Sequence, residues 1–277
     1  MRAMGIRQPA VAGLFYPDNA RVLNRDLDTM LDQVSAKPPG GTVVALIVPH
    51  AGYRYSGITA SHSYRLIAGQ SFECVVIVAP SHREYFEGIS VFGGTAFRTP
   101  LGDVYVDEQL RSDLTAGDQL IAESEVGHRG EHAIEVQLPF IQKVLHDVKI
   151  LPVVMGTQRR EYCFHLGEKL AHVLKGKRSL LIASTDLSHY HPYDSANALD
   201  EVIIQDAARF DVERMMVDLE TQHTEACGGG PMVAVLAAAH RLGADSVDIL
   251  YHCNSGDVTG DYSAVVGYLS AAALRIH

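Results

Sequence analysis

The sequence predicts an α/β fold, a single domain over residues 1–277 with a central mostly parallel or mixed sheet flanked by helices. Short apolar runs rich in Val and Ile recur along the chain, stretches of helical spacing separate them, and neither a linker nor an internal repeat divides it. The strands expected in order are 42–48 (TVVALIV), 74–79 (CVVIVA), 88–92, 150–155 (ILPVVM), 179–184 (SLLIAS) and 262–270. Most lack the polar alternation of a half-exposed strand, so both faces of the sheet should be covered. Helical spacing marks 21–34, 57–68, 131–145, 160–174, 195–210 and 230–242. In the third of these, Ile134, Leu138, Ile141 and Leu145 form a stripe that Pro139 should kink. In the fourth, Leu166, Leu170, Val173 and Leu174 share one side. Pro38–Gly41 reads as a turn between the first helix and the first strand.

Composition narrows the function. The chain is 47% hydrophobic and 20% charged, as in an ordinary globular protein, and its formal net charge is -10. A general phosphate-backbone binder needs clustered Lys and Arg to displace counterions, so nucleic acid is not an expected partner. The opening MRAMGIRQPAVAGLFYP has no apolar stretch suited to a signal peptide, and no run of about 18 apolar residues suggests a membrane span. A cytoplasmic location with no membrane partner is expected. Cys74, Cys163, Cys227 and Cys253 are scattered without a CxxC pair and read as free thiols. All but Cys227 read simply as small buried or half-buried residues.

The chemistry concentrates at strand ends. TVVALIVPH ends on His50, CVVIVAPSH on His82, and LLIASTDLSH supplies Asp186 and His189. In open α/β sheets ligands bind beyond the carboxyl ends of strands, so these side chains converge if their strands are neighbours. One histidine at a strand end is most simply a cap; three at equivalent places point to a metal pocket, where imidazole suits Zn, Cu, Fe and Ni. In TEACGGGP, Cys227 stands before an apolar helix, whose positive end would stabilise a thiolate. The bland alternative there is a flexible turn with an incidental thiol. GHRGEHAIEVQLPFI supplies His128, Glu131, His132 and Glu135. The two acids read either as acceptors for a ligating imidazole or as surface acids near a helix start, and His132 as a pocket wall or proton-transfer group. His191 reads as a solvated loop residue.

Read in order, AVAGLFYP, PHAGYRYSG, APSH, GEHAIEVQLP, STDLSHY and EACGGGP resemble the Memo family, including the prokaryotic AmmeMemoRadiSam system protein B, over nearly the whole chain. The resemblance implies a fold like that of class III extradiol dioxygenases, in which a mononuclear non-haem iron sits at the end of a mixed sheet. It implies His50, His82 and Cys227 as metal ligands, with Asp186, His189 and His132 lining the same pocket. In the resembling dioxygenases a carboxylate is the third ligand, where this chain has Cys227; Glu225, two residues earlier, is the nearest carboxylate in sequence. The family name also implies radical-SAM and AMMECR-like partners.

The leading expectation is a non-haem Fe(II) oxidoreductase acting on an unknown small substrate, with His189 as general base oriented by Asp186. Zn or Cu are alternative metals, and zinc would suit a hydrolase. A metal-free hydrolase would use Cys227 as nucleophile with His189 and Asp186. The non-enzymatic alternative is a regulatory module that binds a metal or a peptide.

Overall fold

The computed structural model describes residues 5–35, 40–145 and 147–276. The turn expected at Pro38–Gly41 lies in part outside them. In chain order the strands are β1 (Ile6–Arg7), β2 (Gly41–Val48), β3 (Cys74–Pro80), β4 (Ile89–Phe92), β5 (Ala96–Thr99), β6 (Gly102–Tyr105), β7 (Ile121–Ser124), β8 (Lys149–Met155), β9 (Ser179–Ser184), β10 (His189–His191), β11 (Ser246–Asn254) and β12 (Val265–Ile276). The helices are α1 (Ala20–Asp32), α2 (Tyr53–Ile67), α3 (Glu108–Thr115), α4 (Leu138–Val144), α5 (Arg160–Val173), α6 (Tyr193–Ala208), α7 (Val212–Glu220), α8 (Gly229–Arg241) and α9 (Ser255–Thr259).

Nine strands form one mixed sheet along the path β10-β12-β2-β9-β3-β8-β4-β7, with β11 paired to β12. Its centre is parallel: β2, β9, β3 and β8 run the same way. β12 joins β2 and β4 joins β8 in antiparallel pairs, which makes the sheet mixed. β1, β5 and β6 form a small second sheet.

The apolar runs are continuous because helices cover both faces. Along β3, Cys74, Val76 and Val78 pack with Leu114 of α3, Leu166 of α5, Met215 of α7 and Val235 of α8. The alternate residues Val75, Ile77 and Ala79 pack with Leu23 of α1, Tyr64 of α2 and Phe140 of α4. Each Val, Leu, Ile, Met or Phe side chain among them, fully buried, contributes about 1.5–3 kcal/mol through the hydrophobic effect. On the first face α5 and α8 approach closely because Gly167 has no side chain; a Cβ there would lie 2.9 Å from the Ala234 carbonyl oxygen. No helix among the described residues is long and apolar enough to cross a membrane.

The single kinked helix expected over 131–145 does not form. Residues 131–134 are loop and turn, Glu135–Gln137 make one 3-10 turn, and α4 starts at Leu138 with Pro139 in its first turn. Proline has no N–H to donate and clashes with the preceding turn, so it starts a helix more readily than it continues one. The consequence is functional: 131–134 are free to turn toward the sheet edge.

Candidate metal centre

β2, β9 and β3 are adjacent and parallel, so their carboxyl ends lie side by side at one edge of the sheet. There Val48 leads through Pro49 to His50, Pro80 through Ser81 to His82, and Ser184 through Thr185 to Asp186. The His50 and His82 ring centroids are 5.0 Å apart. His132 completes a group of three imidazoles, its centroid 5.3 Å from that of His50 and 4.8 Å from that of His82. One ring nitrogen from each lies within 4.8 Å of the others.

Hydrogen bonds set the tautomers. Ser184 Oγ donates to the Ala133 carbonyl at 2.7 Å and accepts from Gln137 Nε2 at 2.8 Å. Its remaining acceptor capacity faces His50 Nδ1 at 3.0 Å, so that nitrogen is the donor and His50 Nε2 keeps its lone pair. Tyr64 fixes the Gln137 amide by donating to Oε1 at 2.8 Å. His82 Nδ1 donates to Glu131 Oε1 at 2.9 Å, which leaves His82 Nε2 as the second free lone pair. Glu131 also accepts from the backbone N–H groups of His82, His132 and Ala133 at 2.6, 2.9 and 3.0 Å. His132 Nδ1 lies 3.3 Å from Glu131 Oε1 but has no hydrogen-bond partner, although it is buried.

Charge follows from these surroundings. Burial, then the neighbouring His82, lowers His50 to about 3; burial, then His50, lowers His132 to about 4. Burial alone would raise Glu131, but the hydrogen bond and charge of His82 with the backbone donors hold it at about 2. At neutral pH His50 and His132 are therefore neutral imidazoles beside an ionised Glu131. A buried nitrogen without a partner and two lone pairs aimed away from their anchors fit a borderline-soft divalent metal such as Fe, Zn or Cu.

Cys227 flanks the group. Its Sγ is 3.1 Å from His50 Nε2 and accepts from the Asp186 N–H at 3.3 Å. The approach depends on Gly228, where a Cβ would lie 2.6 Å from the Ser184 carbonyl oxygen. Burial first, then the nearby Asp186 carboxyl, raises the Cys227 thiol well above its ordinary value. The thiolate expected from its place before α8 thus loses to desolvation, and without a metal the S–H donates to His50 Nε2.

Asp186 accepts the backbone N–H groups of His50 at 2.7 Å and Ala51 at 3.3 Å, and burial raises its pKa. It therefore anchors the His50 turn and does not hydrogen-bond His189. In its neutral form His189 donates Nδ1–H to the Leu187 carbonyl at 2.7 Å, which leaves Nε2 an acceptor; the ring stands close enough to influence both His50 and Asp186. Glu225 accepts from the His189 N–H at 2.8 Å and from His191 Nε2 at 2.9 Å. His191 is thus tied into β10, and Glu225 is engaged on that side of the pocket.

The GEHAIE acids are buried. Glu135 is fully enclosed and accepts from Arg7 Nη1 at 2.6 Å, Tyr16 Oη at 2.6 Å and the N–H groups of Ala10 and Val11. Arg7 also donates Nε to the His128 carbonyl at 2.6 Å and Nη2 to the Glu131 carbonyl at 2.5 Å. The opening segment so braces the loop that carries Glu131 and His132, and Phe15 packs on the His132 ring at 4.9 Å. Sequence reasoning missed Arg7, because one cation near a terminus carries no periodic or motif signal.

A family described as Memo-like protein matches residues 7–272. A MEMO1 family protein of Methanosarcina mazei is 38% identical over 268 residues, covering 96% of this chain and 98% of the relative. One from Methanocaldococcus jannaschii is 38% identical over 286 residues with the same two coverages, and one from Nitrosopumilus maritimus is 33% identical over 270. Among solved structures, an uncharacterized protein from Escherichia coli K12 aligns with a TM-score of 0.53 and 16% identity, over 84% of this chain and 100% of that one. This last likeness supports the α/β fold.

Proposed function

The chain belongs to the Memo family, and from that premise we propose that it holds one transition-metal ion, Fe(II) before Zn or Cu, and acts as an oxidoreductase on a small substrate. The convergence of the three imidazoles carries the reading. His50 and His82 would hold the ion through Nε2. His132 would close that face, and Cys227 would enter as thiolate, since metal coordination itself deprotonates a thiol. Bound there, Fe(II) supplies redox chemistry and Lewis acidity. The chain's own residues do the rest: Ser184 and Glu131 hold the rings, Asp186 holds the His50 turn, and His189 Nε2 takes a proton from the substrate.

The test is anaerobic reconstitution with Fe(II), followed by oxygen uptake over a panel of phenolic and other small acidic substrates. Turnover that needs iron and is lost in a His189→Ala variant retaining its metal would support the reading. Stoichiometric zinc with hydrolysis and no oxygen uptake would move it to a zinc hydrolase.

A second reading, a regulatory module that binds a peptide or metal, is favoured by one observation. Tyr85 and Tyr190, 88% and 76% exposed, stand on the segments that carry His82 and His189, and Leu14, 80% exposed, adjoins Phe15. Saturable binding without turnover, insensitive to His189→Ala and weakened by Tyr85→Ala, would favour the module.

A further inference from the structure

The segment that leaves β9 carries His189, and the partners of its peptide units are distributed unevenly. The Asp186–Leu187 unit is held at both ends. The Leu187 N–H donates to the Gly267 carbonyl at 2.8 Å, and the Asp186 carbonyl accepts from the Cys227 N–H at 3.2 Å and from Thr185 Oγ1 at 2.7 Å. The Ser188–His189 unit is held likewise, its carbonyl by the Gly267 N–H at 2.9 Å and its own N–H by Glu225 Oε1 at 2.8 Å. Between them lies the Leu187–Ser188 unit, whose carbonyl accepts the His189 Nδ1 proton. Its N–H donates to Asp200 Oδ1 at 2.9 Å. Among the described residues that carboxyl is the one partner of this unit besides the His189 ring.

Asp200 lies on α6 and is 5% exposed, and Ser188 is fully buried. No cation pairs with Asp200 among the described residues. Burial first raises its pKa and the charge of Glu225 adds to this, while the hydrogen bonds of Ser188 and the charge of His252 oppose it. The sheet makes room for this acid at Gly267 of β12, where a Cβ would overlap Asp200 Oδ2. The same glycine therefore pairs with the His189 segment on both sides of the central unit and admits the carboxyl that holds the unit itself.

We propose that Asp200 is the positioning residue of His189: by holding the Ser188 N–H it aims the Leu187 carbonyl at Nδ1, which sets the ring and keeps the Nε2 lone pair free. Its weight in catalysis rests on the reading of His189 as the proton acceptor. The sequence suggested this task for Asp186, which the fold spends on the His50 turn. Without Asp200 the buried Ser188 N–H has no acceptor. A peptide unit between two fixed neighbours can still rotate about its flanking ψ and φ. That rotation would carry the Leu187 carbonyl away from Nδ1, and the ring proton would then exchange to Nε2. A carboxyl that merely satisfied a buried N–H would leave the tautomer unchanged when removed.

The measurement is 15N NMR of the full chain labelled at histidine, with EDTA present to exclude metal, at pH about 9, above the ordinary imidazole range. Loss of signals in His189→Gln identifies the ring. In the wild type His189 should carry its proton on Nδ1. Asp200→Asn keeps an oxygen acceptor of the same size and should match the wild type, whereas Asp200→Ala should shift the ratio about fivefold toward the Nε2–H form. Thermal unfolding checks that each variant is folded; if Asp200→Ala is not, Gly267→Ala, whose methyl displaces the carboxyl, should give the same shift. A wild-type proton on Nε2, a wild-type ratio in folded Asp200→Ala, or equal shifts in Asp200→Asn and Asp200→Ala would overturn the proposal. Turnover is read separately: the expected tautomers in a wild type that never turns over would sink the oxidoreductase reading and leave the positioning of His189 standing.

Discussion

His50 and His82 leave neighbouring strands at the same edge of the sheet, yet they are fixed by different means. His50 is 2% exposed, and its ring is set by Ser184, itself the last residue of β9, while Asp186 holds its backbone. His82 has a side chain 27% exposed and is held, together with the backbone of His132, by one carboxylate on a loop. That loop stays in place through Arg7, 124 residues away in sequence, whose guanidinium Glu135 holds. One side of the centre is therefore built by the sheet, and the other by a buried polar network. A sheet position survives the loss of single contacts, because many backbone bonds define it. A buried network is less forgiving: removing one member strands the rest without partners.

The largest effect should come from breaking the network at its root. Glu135→Ala leaves the Arg7 guanidinium buried without its acid and should cost about 3–5 kcal/mol in urea unfolding. A loss under about 1 kcal/mol would mean that both sides are sheet-built, and the contrast would fall. Next, Glu131→Gln keeps the size of the side chain but turns an amide NH2 toward backbone donors that need an acceptor. Metal affinity should fall about 10- to 100-fold, while the metal-free protein keeps its His50 hydrogen bonds.

The smallest effect separates a histidine of the network from those of the centre. His128 is 1% exposed and lowered by burial to about 3. Below its unfolded value near 6.5 only the unfolded chain takes this proton, so stability falls as pH falls between about 6.5 and 4.5. The slope is about 1.4 kcal/mol per pH unit for one proton. A His128→Gln variant should lose that increment, giving a shallower stability profile over the same window. Identical slopes in the two proteins would show that His128 is protonated in the folded chain.

Much of the architecture was legible in the sequence, and unevenly so. Five of the six expected strands formed within one residue of their expected bounds and most helices close to theirs, because buried parallel strands read as unbroken apolar runs, while the strand expected over 262–270 runs from Val265 to Ile276. β5, β6 and β7 are four residues each and leave too little pattern to read; α3 and α7 are short for a periodic signal. At the site, the strand-end rule placed His50, His82 and Asp186 on one edge. It could not place His132 against them, because Pro139 begins α4 and leaves 131–134 outside any helix. The role of Glu135 was hidden for a related reason: an acid near a helix start is commonly solvated, and only Arg7 and Tyr16, brought by the fold, make its burial favourable.

The most direct test of the centre is Fe(II) titration of the anaerobic, metal-stripped protein beside His50→Ala, His82→Ala, His132→Ala and Cys227→Ala, with Co(II) spectra to report the ligand set. One equivalent should bind the wild type, with affinity lost in His50→Ala and His82→Ala and the spectrum altered in His132→Ala and Cys227→Ala. Wild-type affinity in both His50→Ala and His82→Ala would contradict the account and remove the metal from this edge of the sheet.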